Sequence, residues 1–177
     1  MRGVFLDEMK RKIVITGSES TGKSTLTHFL AEEFQAPFVK EYAREYLENI
    51  DREYGLEDVL IMAKEQLKRE TEMQAEVGFL DTDLTVFAIW IKEKYNLEID
   101  WINNHLSKLS NNIYFLCDID IKWEADILRE HPKKEDRQRL FDLYKELLEK
   151  HKLTYHVISG DIPTRIKKCK EIIETSN

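Results

Sequence analysis

The residues of this chain that could do chemistry begin with the stretch IVITGSESTGKSTL, which runs from residue 13 to residue 26. Between Gly17 and Ser24 it contains the pattern G-x-x-x-x-G-K-S, placed after an apolar run and before a stretch of helical periodicity. Glycines let the backbone approach a ligand closely, and the N–H groups at the start of a helix form a cradle for anions. In this pattern the lysine reaches the β- and γ-phosphates of a nucleotide, and the serine hydroxyl ligates Mg²⁺.

The loop therefore predicts a site for ATP and Mg²⁺ rather than a glycine turn that only caps a helix, because all four fixed positions of the pattern are present. The predicted ATP-binding residues of the loop are Gly17, Ser18, Glu19, Ser20, Thr21, Gly22, Lys23, Ser24 and Thr25. Lys23 is also a predicted catalytic residue. Glu19 is unusual, since a carboxylate is repelled by a triphosphate beside it. We expect the Glu19 side chain to point outward.

Two acidic residues follow the apolar run VGFL, at the place where an enzyme with such a loop needs a carboxylate near its metal. Asp81 closes the run and is the better candidate for the Mg²⁺ shell, through a bound water. Asp83 is predicted either to contact the substrate or to cap the helix that begins at Leu84. Ser24 and Asp81 are therefore the predicted metal-site residues.

The stretch EYAREY, residues 41–46, follows the second apolar run and is the predicted acceptor site. Glu41 is expected across the cleft from the γ-phosphate, where a carboxylate can accept a proton from a substrate hydroxyl. Arg44 is predicted to orient Glu41 or to hold an anionic group of the substrate, and Tyr42 completes the predicted substrate-binding set. The alternative is an ordinary helix start in which Glu41 and Glu45 flank Arg44 as a solvated charge pattern.

A basic segment from residue 118 to residue 139 follows the fourth apolar run and is predicted to form a lid. It contains Arg129, Arg137 and Arg139 on either side of a proline. Phosphoryl transfer needs positive groups that close over the spreading charge and exclude water. Arg129 is the predicted catalytic arginine, and Arg137 is a predicted ATP contact.

Two tryptophans have different expected roles. The indole of Trp123, within the charged segment, either stacks on an aromatic ring of the ligand or packs under the lid as core. Trp90 follows Phe87 on an apolar helix and is expected to be structural.

The elements that must position these residues alternate between strands and helices. Five short runs read as strands, three of them almost continuously apolar, as is typical of strands buried on both faces of a parallel sheet. They are KIVIT (12–16), PFVKEY (37–42), VGFLDT (77–82), NIYFLC (112–117) and YHVIS (155–159). Apolar residues at helical spacing lie between them, and the last helix is expected to begin near Pro163. The pattern predicts a P-loop α/β fold, a three-layer α/β/α sandwich with a five-stranded parallel sheet.

Composition narrows the class of protein further. The 177 residues are 42% hydrophobic and 34% charged, which indicates one globular domain over 1–177, with 1–11 as an N-terminal extension. A net charge of -7 argues against nucleic acid as a partner. No run is apolar enough to span a membrane, and the two cysteines form no metal or disulfide pattern, so we expect a cytoplasmic protein. The sequence leaves open whether the chain forms a homo-oligomer.

Among proteins with such a loop, the remaining residues favour a small-molecule kinase. The guanine-reading motif N-K-x-D is absent, which argues against a GTPase switch. No second region offers an arginine finger in the arrangement of an oligomeric ATPase. The order of a phosphate loop, an acceptor stretch at the second strand end and an arginine-rich lid before the last strand is typical of small kinases.

Four of these stretches together resemble the ribosylnicotinamide kinase domain of the NadR type. They are TGSESTGKSTL, EYAREYLE, FLDTD and KWEADILR, and their order and spacing agree from about residue 12 to residue 173. The resemblance implies transfer of the ATP γ-phosphoryl group to the ribose 5′-hydroxyl of nicotinamide riboside, giving nicotinamide mononucleotide. It also implies that the nicotinamide ring stacks on Trp123, and it matches Asp126 and Arg129 to the acidic and basic residues of that segment.

Larger members of that family carry a nucleotidyltransferase domain, and some a DNA-binding domain, ahead of the kinase. Here about eleven residues precede the first strand and no H-x-G-H motif occurs, so we expect neither adenylyl transfer nor DNA-linked repression. Two alternatives stay open. One is a kinase for another nucleoside or a nucleoside monophosphate, and the other is a regulatory module that senses ATP without a small acceptor.

Overall fold

The apolar runs of the sequence form a five-stranded parallel sheet with the strand order β2-β3-β1-β4-β5. The computed structural model describes residues 11–125, 128–131 and 133–176. The strands are β1 (Arg11–Thr16), β2 (Phe38–Val39), β3 (Val77–Asp81), β4 (Ile113–Cys117) and β5 (Thr154–Ile158). The helices are α1 (Lys23–Glu33), α2 (Tyr42–Glu48), α3 (Leu56–Glu72), α4 (Leu84–Tyr95), α5 (Asp100–Leu106), α6 (Lys134–Lys150) and α7 (Ile162–Thr175).

The central strand β1 is apolar on both faces because helices cover both sides of the sheet. Ile13 and Ile15 pack in one core with Leu26 of α1 and Cys169 of α7. Val14, which points to the opposite face, packs in a second core with residues of α6. A third core lies among α2, α3, α4 and α5. The predicted three-layer α/β/α fold with a five-stranded parallel sheet is confirmed.

Strand order places the carboxyl end of β1 between the ends of β3 and β4. Ile15 pairs with Asp81 on one side and with Phe115 on the other. Gly17 then passes so close to β4 that a Cβ at this position would lie 3.0 Å from the carbonyl oxygen of Cys117. The loop after β1 therefore begins in a groove between two strand ends, which is where parallel α/β sheets bind their ligands.

Several boundaries differ from the sequence-based expectation. The second strand, predicted over 37–42, contains only Phe38–Val39, because Tyr42 already belongs to α2. Residues 134–139, predicted to belong to the lid, form the first turns of α6, because Arg137 shares a buried helix face with Leu140 and Tyr144. The short helix α5 was not predicted, since its seven residues contain only Ile102 and Leu106 as buried positions. The expected start of the last helix near Pro163 is confirmed. In the described part of the chain, no helix is long and apolar enough to cross a membrane.

A buried group of polar side chains connects α3, the start of α4 and β4. The hydroxyl of Tyr114 donates to Asp83 Oδ2 at 2.7 Å, and Glu70 on α3 is only 3% exposed. Glu70 Oε1 makes no hydrogen bond within the described residues. Burial, reinforced by the negative charge of Asp83, raises the pKa of Glu70 well above its usual range, and Lys12 only partly opposes this shift.

The raised pKa of Glu70 predicts how its replacement changes stability with pH. Its ionised form disfavours the fold, so the stabilisation from the neutral form is complete below the unfolded pKa of about 4.3 and is lost as pH rises through the folded pKa. Glutamine has nearly the same shape and is neutral at every pH. We expect Glu70→Gln to raise the melting temperature at pH 8 by several degrees, at ~2–4 °C per kcal/mol for a chain of this size.

Thermal unfolding from pH 5 to pH 8 checks this prediction, with Glu72→Gln as the control on an exposed position of the same helix. The gain from Glu70→Gln should shrink toward pH 5. An equal gain at all pH values, or the same gain in Glu72→Gln, would contradict it.

Candidate active site

The glycine-rich loop between β1 and α1 has the backbone geometry of an anion cradle. Gly17 and Gly22 have φ angles of 133° and 77°, which favour glycine, and Ser20 also has a positive φ of 57°. Lys23 Nζ donates to the carbonyl oxygen of Ser18 at 2.7 Å, so the ammonium group folds back over its own loop. Thr21 Oγ1 donates to the same carbonyl at 2.8 Å. The loop is thus held in shape by its own side chains.

A buried arginine on α7 binds the backbone of the loop. This residue was not predicted from the sequence. Arg165 is fully buried, and its Nη1 donates to the carbonyl oxygen of Thr21 at 2.8 Å. Its other N–H groups bind the carbonyl of Gly160 and the carboxylate of Asp120. A planar guanidinium suits this task because it offers five donors in a fixed geometry. The available signal was its position four residues before Cys169, on the buried face of α7.

Four predicted residues meet at the mouth of the loop. Lys23 and Ser24 come from the start of α1, Asp81 from the end of β3, and Glu41 from the residue that precedes α2. Burial raises the pKa of Asp81, while its contacts with the Ser24 hydroxyl, the Lys23 ammonium group and the Glu41 backbone N–H oppose the shift. The predicted acidic and basic residues therefore share one electrostatic environment.

Asp81 and Ser24 form an oxygen-rich pair that fits a hard cation. Asp81 is only 5% exposed, and its Oδ1 has no hydrogen-bond partner among the described residues. Mg²⁺ prefers carboxylate, hydroxyl and phosphate oxygens, and it usually takes only one or two protein ligands beside the nucleotide. The described residues contain no cluster of three or more acidic, histidine or cysteine side chains, so a cation here needs phosphate or water as further ligands.

Glu41 is the second buried or half-buried carboxylate at the mouth of the loop. It is half-buried, caps no backbone group of α2 with its side chain, and lines the same cavity as the loop. Burial raises its pKa; the Lys23 charge opposes this effect and the Asp81 charge adds to it. A carboxyl with a raised pKa is a stronger proton acceptor once it is ionised.

A single cavity is lined both by the loop and by apolar and aromatic residues. Its volume is about 580 Å³, and its walls come from the loop, α2, residues 50–54, α4, the described part of the 121–131 segment, α6 and the start of α7. Nine of its apolar and aromatic residues form what we call the aromatic compartment. They are Leu47, Ile50, Tyr54, Val86, Ile89, Trp90, Leu128, Leu140 and Tyr144.

Trp90 lines this compartment and also packs against neighbouring aromatic rings, as expected of a structural residue. One face of its indole lies parallel to Phe87, with ring centroids 6.3 Å apart and an interplanar angle of 13°. Its Nε1–H donates to the hydroxyl of Tyr54 at 3.2 Å, and the two rings meet edge to face. Both properties follow from its place on α4: Val86, one turn earlier, also faces the cavity, while Phe87 faces the core.

Three other predicted residues lie away from the cavity lining. Asp83 is buried and caps α4, accepting from the backbone N–H of Thr85 at 2.8 Å, which is the structural alternative foreseen from the sequence. The Tyr42 ring packs under the guanidinium of Arg69, 4.3 Å from its centroid. Trp123 is half-buried, and its Nε1 finds no partner in the described part of the chain.

The predicted basic residues divide between the cavity and its surroundings. Arg129 lines the cavity, where its Nη1 donates to the carbonyl oxygen of Glu124 at 2.5 Å. Arg44 lines it from α2, and its charge opposes part of the rise that burial causes in the pKa of Glu41. Arg137 is 6% exposed, and its Nε and Nη1 have no hydrogen-bond partner among the described residues. The predicted contact Asp126 lies outside the described residues.

Glu19 does not point outward as expected, and that prediction was wrong. Its side chain is 21% exposed and turns toward the segment before α6. It accepts hydrogen bonds from the backbone N–H of Glu130 at 2.9 Å and of His131 at 2.8 Å. The phosphate loop is therefore joined to the lid region by one of its own variable residues.

Comparisons with known proteins agree with this fold. A family model described as an AAA domain matches residues 12–165. The trifunctional NAD biosynthesis/regulator protein NadR of Salmonella typhimurium is 26% identical over 172 residues, which are 93% of this chain and 42% of that protein. The chain thus spans less than half the length of this curated relative.

Solved structures of other proteins share this fold. A NadR protein in complex with NAD and AMP-PNP superposes with a TM-score of 0.67 and 24% identity, over 94% of this chain and 49% of that one. Thymidylate kinase from Ehrlichia chaffeensis also gives a TM-score of 0.67, at 17% identity and over 93% of this chain and 99% of that one.

The fold and the loop define a P-loop α/β domain built like the nucleoside and nucleotide kinases. The chain belongs to the AAA domain family whose model covers residues 12–165. Its structural likeness to a NadR protein and to thymidylate kinase extends over 94% and 93% of this chain, respectively.

The raised pKa of Glu41 predicts a specific pH dependence of phosphoryl transfer. A general base works only when ionised, so kcat/KM should fall as pH drops through a pKa above the usual range of a glutamic acid. Glu41→Gln should lower kcat by about 100-fold or more and abolish this limb of the profile. ATP affinity should change little, because Lys23 and the loop are intact.

Steady-state kinetics from pH 4.5 to pH 8.5 on both proteins tests this point, with Glu57→Gln, at an exposed position of α3, as the control. Full activity of Glu41→Gln, or an unchanged acidic limb in that variant, would remove Glu41 from the mechanism.

Proposed function

We propose that this chain is an ATP-dependent kinase that phosphorylates the ribose 5′-hydroxyl of nicotinamide riboside, giving nicotinamide mononucleotide. One observation carries the proposal: a single cavity joins the phosphate loop and Glu41 to an aromatic compartment. A kinase needs such a two-part cavity because donor and acceptor must meet with water excluded.

The loop end of the cavity suits the donor. Backbone N–H groups of residues 17–24 and the Lys23 ammonium group would neutralise the β- and γ-phosphates. Ser24 and Asp81 would hold Mg²⁺, which when bound supplies charge neutralisation between the β- and γ-phosphate oxygens. Arg129, at the cavity wall, would add positive charge over the transferring group.

Glu41 is assigned to the acceptor hydroxyl. In the transfer step the ribose 5′-oxygen forms the new bond to the γ-phosphorus, and the bond from that phosphorus to the β,γ-bridging oxygen breaks. The hydroxyl proton passes to the Glu41 carboxylate, and ADP leaves with its charge held by the loop. Glu41 also orients the hydroxyl by hydrogen bonding before transfer. Arg44, whose charge acts on Glu41, is assigned to orienting this carboxylate.

The aromatic compartment suits a planar ring attached to the ribose. Trp90 offers an indole held in place by Phe87 and Tyr54, so stacking on it costs little conformational entropy. The positively charged pyridinium of nicotinamide riboside is additionally attracted by an aromatic face. The face of Tyr54 is already occupied by Lys94 Nζ, 3.7 Å from its centroid. We therefore assign ring stacking to Trp90, and Trp123 stays the prediction drawn from the family resemblance.

The family resemblance of the motifs favours nicotinamide riboside as the acceptor, and a similar NadR protein has been solved in complex with NR. The thymidylate kinase likeness supports the runner-up, a kinase for another nucleoside or a nucleoside monophosphate. We propose the cytoplasm as the location, since Cys117 and Cys169 are free thiols, as is usual in a reducing compartment. The negative net charge of -7 favours small molecules over nucleic acid as partners.

Turnover of ATP against a panel of nucleosides tests the assignment directly. We expect nicotinamide riboside to be converted to nicotinamide mononucleotide, with Lys23→Ala as the inactive control. Transfer to a different nucleoside would move the acceptor assignment to the runner-up. ATP binding in a thermal-shift assay without turnover of any nucleoside would instead favour an ATP-sensing module.

Replacing Trp90 tests the aromatic compartment. Stacking of a base on an aromatic side chain is worth ~1–3 kcal/mol, so Trp90→Ala should raise KM for the nucleoside about tenfold or more. KM for ATP should hardly change, and Trp90→Phe should retain most of the affinity. Trp101→Phe, on α5 and outside the cavity lining, is the control. Equal losses for ATP and nucleoside in Trp90→Ala would contradict a role in acceptor binding.

A further inference from the structure

We infer that Glu19 is a positioning residue for phosphoryl transfer: it docks the segment 128–131 onto the phosphate loop and thereby sets the place of Arg129 at the cavity. The effect on catalysis rests on the proposed function, because it assumes that Arg129 acts in phosphoryl transfer. The docking itself rests on hydrogen bonds between two parts of the chain that are 111 residues apart in sequence.

The contacts of Glu19 use both of its carboxylate oxygens. Oε2 accepts from the backbone N–H of Glu130 at 2.9 Å, and Oε1 accepts from the backbone N–H of His131 at 2.8 Å. The His131 ring contacts Oε1 through Nδ1 at 2.6 Å. Because a carboxylate only accepts, this geometry requires the proton of His131 on Nδ1. Hydrogen bonds to a charged acceptor are worth roughly twice those between neutral groups.

The neighbouring loop residue, Ser20, contacts the chain ahead of this segment and the side chain of Arg129. Ser20 Oγ accepts from the backbone N–H of Glu124 at 2.9 Å and lies 3.4 Å from Nη1 of Arg129. The Arg129 guanidinium also reaches the carbonyl oxygen of Glu124. Two consecutive variable residues of the loop therefore bind backbone on both sides of Arg129. Glu19 therefore positions Arg129 through the residues that follow it in the chain, Glu130 and His131.

The docking also explains how the loop tolerates an acidic residue. Two backbone N–H groups and the imidazole of His131 are directed at the Glu19 carboxylate, so donors from outside the loop stabilise its charge. Glu19 lines the same cavity in which the phosphates of ATP would bind, so its negative charge does not favour ATP binding. The benefit is expected in the transition state, where the placement of Arg129 matters.

This reasoning predicts a division between kcat and KM. Glu19→Ala should lower kcat about tenfold, because Arg129 loses its fixed position, while KM for ATP stays equal or falls, because a repulsive charge is removed. Acceptor-independent hydrolysis of ATP should rise relative to phosphoryl transfer, since the segment no longer excludes water. A purely structural role in the loop would instead raise KM for ATP and lower both reactions in parallel.

Amide hydrogen exchange on the full chain provides a readout that does not depend on the acceptor. In Glu19→Ala, the amides of Glu130 and His131 should exchange about tenfold faster or more, because each loses a charge-assisted hydrogen bond. Glu19→Gln keeps one acceptor oxygen, so it should accelerate exchange less than Glu19→Ala does. His131→Ala removes only the ring contact and keeps the hydrogen bond from the Glu130 amide, so exchange at Glu130 should change least in this variant. The matched control is Glu32→Ala, which removes an exposed glutamate paired with His28 at 3.4 Å on α1.

The outcomes separate this inference from the proposed function. Faster exchange at both amides together with the kcat effect, and neither in Glu32→Ala, supports the positioning role. Unchanged exchange in Glu19→Ala, or a rise in KM for ATP with kcat unaltered, overturns it. If nicotinamide riboside is not a substrate but exchange still accelerates, the docking contact stands and only the acceptor assignment fails; kcat is then measured with the nucleoside that is turned over.

Discussion

The close passage of the phosphate loop between two strand ends is the constraint on which the rest of the site depends. Gly17 leaves β1 so near to β4 that no side chain fits, and Arg165 holds the loop from below through the carbonyl of Thr21. With the loop fixed, the start of α1 carries Lys23 to one edge of the sheet. The ends of β2 and β3 then bring Glu41 and Asp81 to the same edge, because parallel strands end on one side.

The two parts of the cavity differ in the residues that line them. The phosphate end is built from backbone N–H groups and short polar side chains, and its geometry is determined by the sheet. The part of the cavity that we propose for the acceptor is lined by residues of α2, α4 and α6. The two parts differ in chemistry, since one offers donors for charged phosphates and the other offers apolar and aromatic surface.

The parts of the site that could be predicted from the sequence lie at strand ends. Lys23, Glu41 and Asp81 each lie at or just after the end of a strand. Because parallel strands end at one edge of the sheet, the alternation of strands and helices is enough to predict that these residues lie close together. Trp90 and Tyr54 could not be paired from the sequence, because their contact depends on how α4 packs beside the turn before α3. Glu19 was misjudged for the same reason, since its partners come from a segment more than a hundred residues away. Sequence periodicity contains no information about such contacts.

The central claim is that donor and acceptor occupy one cavity with Glu41 between them. A crystal structure with a non-hydrolysable ATP analogue, Mg²⁺ and nicotinamide riboside measures this directly. The account predicts the γ-phosphate over Lys23, the pyridinium ring against Trp90, and the ribose 5′-oxygen within hydrogen-bonding distance of Glu41 and in line with the γ-phosphorus. A nucleoside bound outside this cavity, or a 5′-oxygen turned away from Glu41 in the ternary complex, would contradict it.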